Sequence, residues 1–202
     1  MTEIEQILDV EQYLADTDAV IFDLDDTLYP EKDYVRSGYK KVADMLHRPE
    51  FAAEMWAVFE RGGKAIDEVL EKNGLSDYKN EALNTYRLQN PDIWLYDGVA
   101  EMLERLKNSG KKLGIITDGR PEGQRAKLKA LDVQVDVVII TDELGGIAFR
   151  KPNQKAFEIM QEKMDIPYEK MVYIGDNARK DFVAPQQLGM GCIWYRNPDG
   201  LY

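Results

Sequence analysis

The sequence predicts an α/β fold: a doubly wound parallel sheet with helices on both faces and an α-helical segment inserted after the first strand. Three observations predict it. Short apolar runs alternate with amphipathic stretches of about 10 to 15 residues, the pattern of parallel strands joined by covering helices. The first apolar run is followed by a long segment of helical periodicity with no convincing strand. Polar groups gather just after the apolar runs, where open α/β sheets place their ligands.

The elements follow in order. Residues 1–16 are acidic and amphipathic, without the basic start and apolar run of a secretory signal. Ala19-Val20-Ile21-Phe22 reads as a first strand, ending in Asp23, Asp25 and Asp26. Residues 31–93 read as helices broken at His47-Arg48-Pro49, Gly62-Gly63 and Asn73-Gly74. Their place after the first strand makes them a helical cap over the strand ends, leaving 1–30 and 94–202 as the α/β core. Val99, Met102, Leu103 and Leu106 have the spacing of a helix over 98–108, and Gly110 marks its end. Strands are then expected at 112–117, 135–141, 171–175 and 191–195, with helices at 121–131, 153–164 and 178–188 between them.

Composition narrows the function. The 202 residues carry 37 acidic against 26 basic side chains, a formal net charge of −11. No basic face stands out, which argues against a nucleic-acid surface. A single cysteine cannot form an internal disulfide, and one His with one Cys excludes a zinc site built from those residues alone. No apolar run approaches the roughly 20 residues needed to cross a bilayer. A soluble, cytoplasmic chain with no membrane partner is expected, and its acidity suits a divalent cation.

Four of the strand ends carry chemistry. Asp23 and Asp25 are two residues apart, so in extended geometry they point to the same side, about 7 Å apart along the chain. Such a pair repels unless a cation intervenes, and Mg²⁺ is the hard cation that best fits oxygen ligands. Thr117, before Asp118-Gly119, presents a hydroxyl and turn amides to an anion. Lys151, before Pro152, offers a point charge for phosphate. Asp176 follows an apolar strand directly, with Asp181 five residues on and Asn177 available as a helix cap. Taken singly, Thr117 and Lys151 read as an ordinary turn and a solvated cation; their order along the chain is what matters.

In that order the sequence resembles the haloacid dehalogenase superfamily of phosphotransferases, over about residues 19–195. FDLDDTLY, residues 22–29, is similar to the family's first motif, Thr117 to the second, Lys151 to the third, and Gly175-Asp176 with Asp181 to the acidic fourth. The resemblance implies a Rossmann-like core with a helical cap of the first class. It implies Asp23 as nucleophile and Asp25 as general acid and base. Thr117, the backbone amide of Asp118 and Lys151 would bind phosphate. Mg²⁺ would lie between Asp23, the backbone carbonyl of Asp25 and Asp176, while Asp181 would hold Lys151 or a metal-bound water. Asp118 stands where Asn is common, and little consequence is expected if the amide does the binding.

The implied activity is a Mg²⁺-dependent phosphatase of a small phosphomonoester, such as a sugar phosphate or nucleotide, working through an aspartyl-phosphate. Asp25 argues against dehalogenation, because the branches that resemble this chain and lack an acid there need no proton for the leaving group. A sugar phosphomutase shares all four motifs and is the nearest alternative. A phospho-accepting signalling domain fits less well, since its acceptor Asp follows a middle strand and it lacks a cap. His47 reads as a helix-end residue, Cys192 as core, and Trp56 and Phe59 as the cap's own packing. Tyr29, Tyr34, Arg36, Arg120 and Arg150 are candidates for substrate contact that the sequence does not rank.

Overall fold

The computed structural model of the chain describes residues 1–201. Its centre is a six-stranded sheet formed by β1 (Thr2–Ile4), β2 (Ala19–Phe22), β3 (Lys112–Thr117), β4 (Val137–Ile140), β5 (Met171–Gly175) and β6 (Gly191–Tyr195). Every pairing is parallel, and the spatial order is β1-β6-β5-β2-β3-β4. The predicted α/β class holds.

All four residues of β2 are buried, as expected of a central strand covered on both faces. Val20 and Phe22 point into a cluster with Leu113, Ile115, Met102 and Leu106, the last two from α5 (Val99–Asn108). Ala19 and Ile21 point the other way, into a cluster with Phe157 and Met160 of α7 (Lys155–Met164) and Tyr173 of β5. Alternation along one strand therefore divides the core into two layers. Gly114 lets α7 approach closely: a Cβ there would lie 2.8 Å from the Met160 sulfur.

Between β2 and α5 run four helices, α1 (Glu31–Met45), α2 (Glu50–Glu60), α3 (Ala65–Lys72) and α4 (Lys79–Arg87). They close around a separate apolar cluster that includes Tyr39, Val42, Phe51, Met55, Val69 and Leu70, with Trp56 and Phe59 packed against it. α6 (Pro121–Leu131) follows β3, and α8 (Val183–Leu188) follows β5. Among the described residues, no helix is long and apolar enough to cross a membrane.

Two elements differ from expectation. Thr2–Ile4, read as part of an acidic amphipathic terminus, forms β1 against Trp194 and its neighbours on β6. The helix expected over 178–188 begins only at Val183, because residues 177–181 form a turn in which the Asp181 N–H bonds the Asn177 carbonyl. Asn177 caps that turn, accepting a 3.1 Å bond from the Arg179 N–H, and does not start a helix.

Sheet register decides what meets at the strand ends. Phe22 is level with Ile115 on one side and Ile174 on the other. Asp23, Ile116-Thr117 and Gly175-Asp176 consequently leave the sheet at one height, at the carboxyl ends of three adjacent strands. The chain proceeds outward from β2 to β3 and β4, then returns to β5 on β2's other side. That reversal opens the crevice in which such sheets bind ligands.

Candidate active site

Three carboxylates meet in this crevice. One oxygen each from Asp23, Asp176 and Asp181 lies within 4.8 Å of the others, and all three residues are buried. Asp23 is set by a backbone bond of 2.8 Å from its N–H to the Ile174 carbonyl. Asp176 is held from behind by the Trp194 indole, which donates to its carbonyl at 2.8 Å. Asp181 passes under β5 because residue 175 is glycine; a Cβ there would stand 2.5 Å from an Asp181 oxygen. Its other anchor is the Asn177 N–H at 2.9 Å.

Lys151 is the cation among them. Its ammonium lies 2.8 Å from Asp23 Oδ1, 2.8 Å from Asp181 Oδ1 and 2.8 Å from the Tyr173 hydroxyl. One ammonium cannot balance three carboxylates. Burial pushes Asp23 up to about 6, against the pull of Lys151 and with the help of Asp181. Burial, with Asp23 and Asp181 beside it, pushes Asp176 up to about 8. Asp176 Oδ2 is buried and has no hydrogen-bond partner, while Oδ1 receives only a 3.4 Å bond from Thr27. An unpartnered oxygen beside surplus negative charge is a donor set compatible with a divalent cation. The residues present fit such an ion.

The Asp25 carboxylate stands apart from this cluster, in a second network. It pairs with Lys127 at 2.7 Å, accepts from Gln124 at 3.0 Å, and accepts a short bond from the Tyr29 hydroxyl. Burial works to raise Asp25, but Lys127 and these two donors outweigh it and hold the carboxyl below its ordinary value. Gln124 also donates to Thr117 Oγ1, so a single amide ties the end of β3 to Asp25. Glu31, at the start of α1, is pushed up to about 8 by burial and by Asp25.

Asp118 has more to do than expected. Its Oδ1 accepts from the Lys151 N–H at 3.0 Å and from Thr141 at 2.9 Å, and its Oδ2 pairs with Lys180 at 3.0 Å. An asparagine could accept the first two bonds but would lose the ion pair. The Asp118 side chain therefore ties Lys151 and Lys180 to the end of β3, while its backbone amide stays available to an anion.

The structure thus brings together Asp23, Thr117, Asp118, Lys151, Asp176 and Asp181, with Asp25 on the adjoining wall. Gln124, Lys127, Glu31 and Arg87 escaped the sequence reading. A signal existed for one of them: Gly123, Lys127 and Leu131 recur every fourth residue on the buried stripe of α6, so Lys127 lies on the inward face. Of the candidates for substrate contact, Tyr29 is fully buried beneath Asp25, and Arg36 is exposed over the Trp56 ring. Tyr34, Arg120 and Arg150 line a cavity of about 260 Å³ beside Asp25.

A family model described as haloacid dehalogenase-like hydrolase matches residues 20–195. A glyceraldehyde 3-phosphate phosphatase of Methanocaldococcus jannaschii is 31% identical over 189 residues, covering 85% of this chain and 81% of that protein. The pyrophosphatase PpaX of Bacillus cereus is 27% identical over 177 residues, covering 84% of this chain and 79% of its own. Among solved structures, a subfamily IA hydrolase of the same superfamily from Geobacter sulfurreducens superposes with a TM-score of 0.69 at 18% identity, over 91% of this chain and 89% of that one.

Proposed function

The chain belongs to the haloacid dehalogenase-like hydrolases, and from that premise we propose that it is a Mg²⁺-dependent phosphatase of a small phosphorylated metabolite. The observation that carries this reading is the buried cluster of Asp23, Asp176 and Asp181 around Lys151, at the carboxyl ends of β2, β3 and β5. The names of the two relatives, both phosphatases of small compounds, support it.

Asp23 is the nucleophile. Its carboxylate attacks phosphorus, the bond from phosphorus to the ester oxygen breaks, and an aspartyl-phosphate forms. Lys151, Thr117 and the turn amide of Asp118 hold the transferring phosphoryl oxygens, and Asp181 fixes Lys151 in place. Asp25 gives a proton to the leaving oxygen, then takes one from the water that hydrolyses the intermediate. The Lys127 pairing favours ionised Asp25, the form that the second half-reaction uses. Asp23, Asp176 and the backbone carbonyl of Asp25 would hold Mg²⁺, which offsets repulsion between the phosphate dianion and the Asp23 carboxylate.

Residues 31–93 act as the cap. Glu31, Tyr34, Tyr86 and Arg87 from this segment face Asp25, Asp118 and Arg120 of the core across one cavity. Closing that cavity selects the leaving group and shields the intermediate. The test is phosphate release from a panel of phosphomonoesters with Mg²⁺, with and without EDTA. Activity is expected to vanish reversibly on chelation and to fall steeply in Asp176→Ala. Unchanged turnover after exhaustive chelation would overturn the cation's role.

The same carboxylates set a pH dependence. Asp23 and Asp176 have folded-state values raised to about 6 and about 8, above their unfolded values. Both therefore bind protons more tightly when folded, and their contribution is fully present at low pH. It is lost as pH rises through about 6 and then about 8. The metal-free chain should accordingly melt at lower temperature at pH 8.5 than a control lacking the raised group, Asp176→Asn. The gain in melting temperature on adding Mg²⁺ should grow with pH over the same window.

A further inference from the structure

We propose that the substrate carries a second anionic group besides the phosphoryl it loses, and that Arg87 and Arg120 bind it. This rests on the phosphatase reading above. The cavity of about 260 Å³ beside Asp25 is small, suiting a leaving group of a few heavy atoms. Tyr86, Arg87 and Arg120 also line a second hollow of about 360 Å³ toward α3. Both arginines therefore line the two hollows, Arg87 from the 31–93 segment and Arg120 from the α/β core. Arg87 is half-buried in the last turn of α4, and Arg120 immediately precedes α6.

The other cations around the smaller cavity are already committed. Lys127 is paired with Asp25, Lys180 with Asp118, and Arg150 with Asp142 through two bonds of 2.6 and 2.7 Å. The remaining carboxyl, Glu31, is raised by burial and by Asp25. Among the described residues Arg87 and Arg120 form no ion pair, although the chain has eleven more acids than bases. The phosphoryl group does not need them, since Lys151, Thr117 and the Asp118 amide lie at the strand ends. Two uncommitted guanidinium forks facing one small cavity match a carboxylate or a second phosphate, which each accept paired N–H bonds.

The experiment compares matched esters with Mg²⁺. 3-Phosphoglycerate carries a carboxylate where glycerol 3-phosphate carries a hydroxymethyl; propane-1,3-diol bisphosphate and its monophosphate differ only in a phosphate. 4-Nitrophenyl phosphate reports whether any phosphatase activity exists. Wild type is expected to favour the charged member of at least one pair by about tenfold or more in kcat/KM, mostly through KM. Whichever pair shows it identifies the group as carboxylate or phosphate. Arg87→Gln and Arg120→Gln should each shrink that ratio severalfold, and Arg120, being exposed, can be replaced without risk to the fold. Ratios near one for both pairs while 4-nitrophenyl phosphate is hydrolysed would overturn this inference and leave the phosphatase reading standing. A ratio that survives both substitutions would also overturn it. No phosphate release from any ester would overturn both readings.

Discussion

Asp23→Asn is expected to abolish turnover, by a factor on the order of 10⁴ or more, while leaving the protein folded and at least as stable. An amide of the same shape can occupy the site but cannot attack phosphorus to form an acyl-phosphate. The stability side has a worked sign. Asp23 is raised to about 6 because burial and Asp181 oppose its charge more than Lys151 favours it. Above pH 6 the folded wild type must carry that charge, whereas the variant need not. The lost bond to Lys151 opposes the gain, but Lys151 keeps Asp181 and the Tyr173 hydroxyl as partners. Thermal melts of metal-free protein should therefore give a variant equal to or above wild type at pH 8, with the advantage shrinking toward pH 5. Near wild-type phosphate release from folded Asp23→Asn would remove Asp23 from its role.

The fold was legible because β2, β3 and β5 are apolar on both faces, and such runs end abruptly at their first polar residue. Asp23, Thr117 and Asp176 are those residues, so strand prediction and site prediction were one inference. β1 escaped because three residues, Thr2 to Ile4, are too few to show a period, and an edge strand needs no apolar run. Lys127 escaped for a different reason. In RAKLKAL the four-residue spacing to Leu131 separates it from Lys129, but its pairing with Asp25 beneath Tyr34 and Tyr29 depends on tertiary packing. Arg87 lies some 30 residues before Thr117 in sequence, and the cavity joining it to Arg120 exists only once α4 folds back over the core. Asp118 could be named from the sequence, but its bond to Lys180 depends on the turn at residues 177–181 after β5. Side chains just after strands can be read from sequence; side chains across the crevice cannot.

Lys151→Met is the substitution expected to damage both stability and catalysis. Met matches the lysine stem, so little cavity is created, and the loss is mainly the charge. The ammonium is the cation in direct contact with Asp23 and Asp181, both almost completely buried. Removing one partner of a buried pair leaves uncompensated charge, typically at a cost of about 3–5 kcal/mol. Asp23 can escape by binding a proton, so the cost depends on pH. Asp23 is already raised to about 6 with Lys151 present, and its loss must raise it further. Destabilisation should therefore be small near pH 5 and grow through pH 8, read as a falling urea midpoint with unchanged slope. Activity should drop by about 10²–10³-fold or more at every pH, because the phosphoryl group loses a donor. A double variant, Lys151→Met with Asp23→Asn, separates electrostatics from packing. Removing charge from both sides should recover much of the lost stability at pH 8 without recovering activity, a coupling that a double-mutant cycle measures directly. If the double variant is as unstable as the sum of its parts, the Lys151–Asp23 contact is not what makes the lysine necessary, and the charge balance argued for this crevice is wrong.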